Sequence, residues 1–101
     1  MARFDVYEYG GSVPLVLDVQ ADLLSELNTR MVIPLVALVG AEREVLPRLK
    51  PVIAVDGRDY VMVTTDMAAV PMSALGRRVT NVEEPYRDII MGALDFLFQG
   101  F

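Results

Sequence analysis

The 101-residue chain contains neither histidine nor cysteine, which restricts its chemistry before any motif is considered. Disulfides, thiolate metal sites and a cysteine nucleophile are impossible, and the commonest general base and transition-metal ligand are missing. Carboxylates, arginines, Lys50, tyrosines and hydroxyls remain. Thr64-Thr65-Asp66 sets hydroxyls beside a carboxylate, but Thr and Asp after a strand ordinarily bond local backbone and fix a turn. Glu83-Glu84 suit helix capping and the macrodipole without a metal. Arg77-Arg78 reads as a solvated pair, not a phosphate site. No metal or cofactor is expected, and the chain reads as a protein that is not an enzyme.

The net charge of -5 opposes direct nucleic-acid binding, which depends on Lys and Arg neutralising phosphates. A DNA-linked activity would then run through another protein. A hydrophobic fraction of 53% and a mean hydropathy of +0.39 are high for one small domain, so surplus apolar surface points to a homo-oligomer or a permanent partner. No apolar run reaches the roughly 18 residues that span a bilayer, and Met1 to Asp5 lacks a signal-peptide core. A single domain over residues 1-101, soluble, cytoplasmic and without membrane contact, is the expectation.

Phe4 to Tyr9 reads as a strand, Gly10-Gly11-Ser12 as a hairpin turn, and Val13, Leu15, Leu17 and Val19 as one face of the return strand. Gln20 to Leu27 has a helix-like pattern but is too short to persist alone, so a loop or single turn is expected. Arg30 to Val39 is an apolar strand that Pro34 must place at an edge, or bulge or kink. Gly40 to Arg48 suits a solvated excursion. Leu49 to Val55 and Asp59 to Thr65 are two strands joined by Asp56-Gly57-Arg58, a strong hairpin signal. Val70 to Met72 and Arg78-Val79 add short strands around a turn at Leu75-Gly76.

The last segment is a helix, with Thr80 and Glu83, or Asn81 and Glu84, placed as a capping box and Pro85 in the first turn. At about 100° per residue, Asp88, Gly92, Asp95 and Gln99 form one narrow polar stripe. The remaining arc is apolar and roughly twice as wide as one core can cover. A dimer interface is therefore expected on this helix, through Ile90, Leu94, Leu97 and Phe98.

Arg30-Met31-Val32-Ile33-Pro34-Leu35, Thr64-Thr65-Asp66-Met67-Ala68-Ala69-Val70-Pro71 and the C-terminal Ala93 to Phe101 resemble the CcdB family of bacterial toxins. Phe4 with Val6-Tyr7, Asp18-Val19-Gln20 with Asp22, and Tyr60 and Met62 after the hairpin extend the likeness along the chain. It implies a mainly β fold, an SH3-like antiparallel barrel with a small β-wing and a terminal α-helix. The implied function is that of a type II toxin whose dimer presents its helix ends to the DNA gyrase A subunit and traps cleaved DNA. Carried over residue by residue, the gyrase contacts fall on Leu23 and Leu24 (an Ile pair in the family toxin), Asp95 (Asn there), and Gln99, Gly100 and Phe101 (Trp-Gly-Ile there). The loss of that Trp matters, because an exposed aromatic anchor often carries about 2 kcal/mol or more of an interface.

A small antitoxin with a disordered C-terminal segment is the implied second partner. It is placed on the first hairpin (Glu8, Tyr9, Gly10, Ser12, Val13) and on the excursion (Glu42, Arg43, Arg48), since an ordering segment needs a wide surface. Two alternatives stand beside the gyrase poison: a relative that retains only antitoxin binding, and an endoribonuclease of the MazF type, whose barrel is similar.

Overall fold

The computed structural model describes residues 2-24 and 26-100. Among these residues, seven strands form one antiparallel sheet: β1 (Asp5–Tyr9), β2 (Leu15–Asp18), β3 (Thr29–Ala37), β4 (Val52–Val55), β5 (Arg58–Met62), β6 (Ala68–Pro71) and β7 (Leu75–Asn81). Their order is β4-β5-β3-β2-β1-β7, with β6 paired to β3 off that path. The sheet curls into a half-barrel, and one helix, α1 (Glu83–Gln99), follows the last strand. No helix among the described residues is long and apolar enough to cross a membrane.

The β4–β5 hairpin follows its sequence signal. Asp56 (φ 54°) and Gly57 (φ 78°) are both left-handed, as a two-residue turn matched to strand twist requires. Pro34, by contrast, does not put β3 at an edge. Residues 32-35 pair with β2, while on the other side residues 29-32 pair with β6 and 35-37 with β5. The Pro34 carbonyl accepts from Val63 N at 3.0 Å, so its donor-less nitrogen faces the same side, where one partner strand ends and the other begins. A missing N–H there breaks no ladder bond.

Leu75-Gly76 is likewise no turn. The turn is the 3-10 segment Met72–Ala74, and Leu75 already opens β7. Gly76 is needed for close approach, since a Cβ there would lie 2.9 Å from the Glu8 carbonyl oxygen, beside the register shift between Tyr7 and Tyr9. The helix start also differs from the capping box: Val82 is the N-cap, and Asn81 Oδ1 accepts from Glu83 N at 2.9 Å.

Two cores flank the sheet. The larger joins Leu15, Leu17, Ile33, Leu35, Ile53 and Met62 to Ile90, Ala93 and Leu94 of α1. The smaller holds Tyr7, Val16 and Val32, with Tyr9, Val13, Val70 and Leu75 around them. Because both faces of β2 are covered, all its residues are buried, and Val13 belongs to the second cluster rather than to the face of Leu15 and Leu17.

Candidate functional site

Asp22–Leu24 forms a single 3-10 turn between β2 and β3, as a segment too short for a stable helix should. Leu23 is 97% exposed and Leu24 49% exposed. The turn is nevertheless fixed. Asp22 Oδ1 accepts from Arg3 N at 2.7 Å, and the Leu24 carbonyl accepts from Gln20 Nε2 at 2.8 Å. Arg3 Nη2 reaches Met91 Sδ at 3.4 Å, which ties the turn's anchor to the middle of α1.

At the helix end, Gly100 adopts the left-handed conformation (φ 80°) and donates to the Phe96 carbonyl at 2.9 Å, a standard helix stop. Asp95, Gln99 and Gly100 are exposed, and Phe98 is 70% exposed. Phe101 lies outside the described residues.

The interface residues expected on α1 divide. Ile90 and Leu94 are taken up by the chain's own core, so they are not available to a second copy; Leu97 is half-buried and Phe98 free. The reason is angular. Ile90, Ala93 and Leu94 span only about 100° of the helix, leaving one apolar flank at Ile89 and Phe96 and another at Met91 and Phe98. Ile89, 45% exposed, was missing from the expected interface, although its position opposite Met91 on the wheel marks it as a flank residue.

The residues expected to hold an antitoxin separate into two places. Glu8, 3.3 Å from Arg77 Nη2, borders a groove of about 300 Å³ with Tyr60, Asp56 and Arg58. Gly10 and Ser12 are exposed at the hairpin tip, while Tyr9 and Val13 are half-buried against the smaller core. Glu42 and Arg43 lie in a 3-10 turn, Glu42–Glu44, where Glu42 accepts from Gly40 N. Arg48 lies against α1, its guanidinium 4.4 Å from the Phe96 ring centre, and lines a groove of about 290 Å³ with Pro47, Asp88, Ile89, Gly92 and Asp95. The fold thus sets Arg48 and Asp95 along one groove, although the sequence assigned Asp95 to a different partner.

The polar motifs are absorbed by the scaffold. Thr64 is fully buried, and its hydroxyl donates to the Met62 carbonyl. Arg77-Arg78 is exposed, as expected, yet each side chain has a partner: Arg77 meets Glu8, and Arg78 Nε donates to Asp5 Oδ1 at 2.9 Å. Glu83 pairs with Arg87 one turn on. No cluster of acidic residues suited to a metal ion occurs among the described residues.

Sequence reasoning missed the buried charges. Asp18 and Arg30 are both fully buried, with Arg30 Nε 2.8 Å and Nη2 2.7 Å from the same oxygen, Asp18 Oδ2. Asp18 Oδ1 accepts from Gln20 N at 3.0 Å. The signal was present, since a single charge at the edge of an apolar strand must find a partner. Burial pushes the Asp18 carboxyl above the usual carboxylate range, and its bonds from Gln20 and Arg30 reduce that rise without cancelling it.

Asp5 is also buried, but it accepts from Asn81, Arg78, the Ala2 amide and Tyr7. Burial raises it, the bonds from Asn81, Ala2 and Arg78 outweigh burial, and it lies below the usual range. Burial and the Asp5 carboxylate push the Tyr7 phenol up to about 12.

The fold is similar to that of an endoribonuclease in complex with its cognate antitoxin from a mycobacterial species. The TM-score is 0.76 over 97% of this chain and 94% of that one, at 17% identity, a likeness of fold alone. The family model described as CcdB protein matches residues 3-100. That match spans nearly the whole chain, and the chain belongs to the CcdB family of toxin–antitoxin toxins.

Proposed function

We propose that the protein is a gyrase poison that acts as a homodimer: it binds the DNA gyrase A subunit through its helix ends and traps the enzyme on cleaved DNA. The observation that carries this reading is exposure. Every described residue that the family resemblance assigns to gyrase contact, namely Leu23, Leu24, Asp95, Gln99 and Gly100, stands at the surface although the apolar ones among them could have been buried. Exposed leucines on a fixed turn favour a partner that covers them. The free apolar flanks at Ile89 and Phe98 support self-association, and a small antitoxin with a disordered segment remains the partner that would silence the toxin.

The poison itself breaks no bond in this reading. It is supported by the lack of His and Cys, by the buried, backbone-bonded Thr64 hydroxyl and by the locking of Arg30 onto Asp18. The fold likeness to an endoribonuclease supports a second reading, RNA cleavage. Loss of poisoning with retention of antitoxin binding is the third.

One experiment separates the three. Purified protein is incubated with gyrase from its source organism, ATP and supercoiled plasmid, and with RNA in a parallel arm. Protein-dependent double-strand breaks that disappear when Phe101 is deleted are the expected result. Absence of breaks, with Gln99→Trp restoring them, would select the antitoxin-binding relative. RNA cleavage by a clean preparation would select the nuclease.

A further inference from the structure

Leu23 is the most exposed large apolar residue among those described, yet its turn is held by side-chain bonds from two sides. Gln20 uses both ends of its amide on backbone: Oε1 accepts from Met31 N at 3.0 Å, and Nε2 donates to the Leu24 carbonyl at 2.8 Å. One side chain thus staples the turn to β3. From the other side, Asp22 Oδ1 takes the Arg3 amide, while Arg3 Nε donates to the Val19 carbonyl at 3.2 Å and Nη2 reaches Met91 on α1. Inside the turn, Leu24 N donates to the Ala21 carbonyl and Leu27 N to the Leu24 carbonyl.

We infer that Gln20 and Asp22 are positioning residues that hold Leu23 and Leu24 as a preformed apolar knob, fixed relative to α1 so that turn and helix meet one partner surface together. The inference rests on the proposed gyrase reading, in which both leucines touch the partner. A knob already ordered in the free protein loses less conformational freedom on binding, so association is faster and tighter. Neither Gln20 nor Asp22 need touch the partner for this to hold.

Gln20→Glu isolates the effect. The carboxylate still accepts from Met31 N, but it presents an acceptor to the Leu24 carbonyl, so the sheet keeps its bond and the turn loses one. Asp22→Ala removes the acceptor for Arg3 N, and Asp22→Asn restores it without charge. Binding to the A subunit of the source organism's gyrase would be followed by surface plasmon resonance, beside thermal midpoints and amide exchange at Leu24 and Leu27.

The expected result for Gln20→Glu and Asp22→Ala is affinity reduced about tenfold, the worth of one well-made hydrogen bond. The on-rate falls, both amides exchange faster, the thermal midpoint drops by no more than the several degrees that one lost hydrogen bond costs, and Asp22→Asn binds like the natural chain. Faster exchange with unchanged affinity would overturn the positioning role, while weaker binding by Leu23→Ala in the same series would leave the gyrase reading standing. Asp22→Asn losing as much as Asp22→Ala would assign Asp22 a charge contact instead and overturn its positioning role. A natural chain that does not bind, or a Leu23→Ala that binds equally well, would overturn both. Asp22 lies at the surface, so its variants decide the matter even if Gln20→Glu fails to fold.

Discussion

Asp5 and Asp18 are both closed off at the surface, at 2% and 0% exposure, yet their carboxyls move in opposite directions. The difference lies in depth, since protein surrounds Asp18 more densely, and in the number and placement of donors. Asp5 receives hydrogen bonds on both oxygens from backbone, amide, phenol and guanidinium, and its Arg78 partner remains 55% exposed and therefore solvated. Asp18 receives Gln20 on one oxygen and a single guanidinium on the other. That guanidinium crowds two nitrogens onto one oxygen, where only Nε makes a hydrogen bond, and leaves Nη1 and Nη2 without a hydrogen-bond partner among the described residues. A buried charge is stabilised by a full set of donors, and an ion pair alone does not replace its lost hydration. The Asp18–Arg30 pair instead fixes geometry, holding the end of β2 and the start of β3 on either side of the leucine turn.

Removing one arginine at a time separates the two sites most clearly. Arg30→Met should cost about 3-5 kcal/mol at neutral pH, because Asp18 is left buried and uncompensated. Urea unfolding would measure it, and the loss should shrink on acidification as Asp18 takes up a proton. Replacing both partners, Asp18→Leu with Arg30→Met, should recover most of that loss, since two apolar groups need no donors. A double variant as unstable as the single one would mean that the pair is net stabilising.

Acid titration tests the opposite directions next. Asp18 has a raised folded-state pKa, so its protonated form favours the fold: stability is gained as pH falls through that raised value and is fully present below the ordinary value. Asp5, with a lowered value, contributes stability above the ordinary carboxylate range that is lost as pH falls through its folded value. The two act in adjacent windows, Asp18 above the ordinary value and Asp5 below it. Urea midpoints against pH should therefore lose their mild acid gain in Asp18→Asn and their steep final loss in Asp5→Asn.

The smallest effect belongs to Arg78→Met. The half-exposed guanidinium gains little from pairing in high dielectric, and Asp5 keeps Asn81, Tyr7 and Ala2, so the cost should be about 1 kcal/mol or less in urea midpoints. A loss as large as that of Arg30→Met would show that donor number does not separate the two sites.

Where the cause is local, the sequence is a good guide. Asp56-Gly57 dictates its turn because Asp-Gly is among the few pairs that adopt two left-handed conformations easily. The weak helical pattern at Gln20 to Leu27 gives a turn, and the wide apolar arc of α1 leaves surface uncovered, as its residues imply. Pro34 misleads because its constraint concerns hydrogen-bond partners, and two different strands end and begin beside it. Ile90 and Leu94 mislead for a related reason: an arc states how much apolar surface exists, not which part the sheet will take.

Composition and short-range pattern are enough to show that this chain has no histidine or cysteine chemistry and that it is built of strands and one helix. These follow from residue types and from periods of two and 3.6, which need no knowledge of distant neighbours. Membership of the CcdB family comes instead from the likeness of its motifs, which the match over residues 3-100 shows. Only tertiary structure decided that Asp18 meets Arg30, that Asp5 gathers its donors from Ala2 to Asn81, that Arg48 lies beside Asp95, and that Gln20 and Arg3 hold the leucine turn against β3 and α1. Each of these is a juxtaposition across the fold. Partners are chosen by which strands adjoin and which helix face is buried, and neither is encoded by any residue alone.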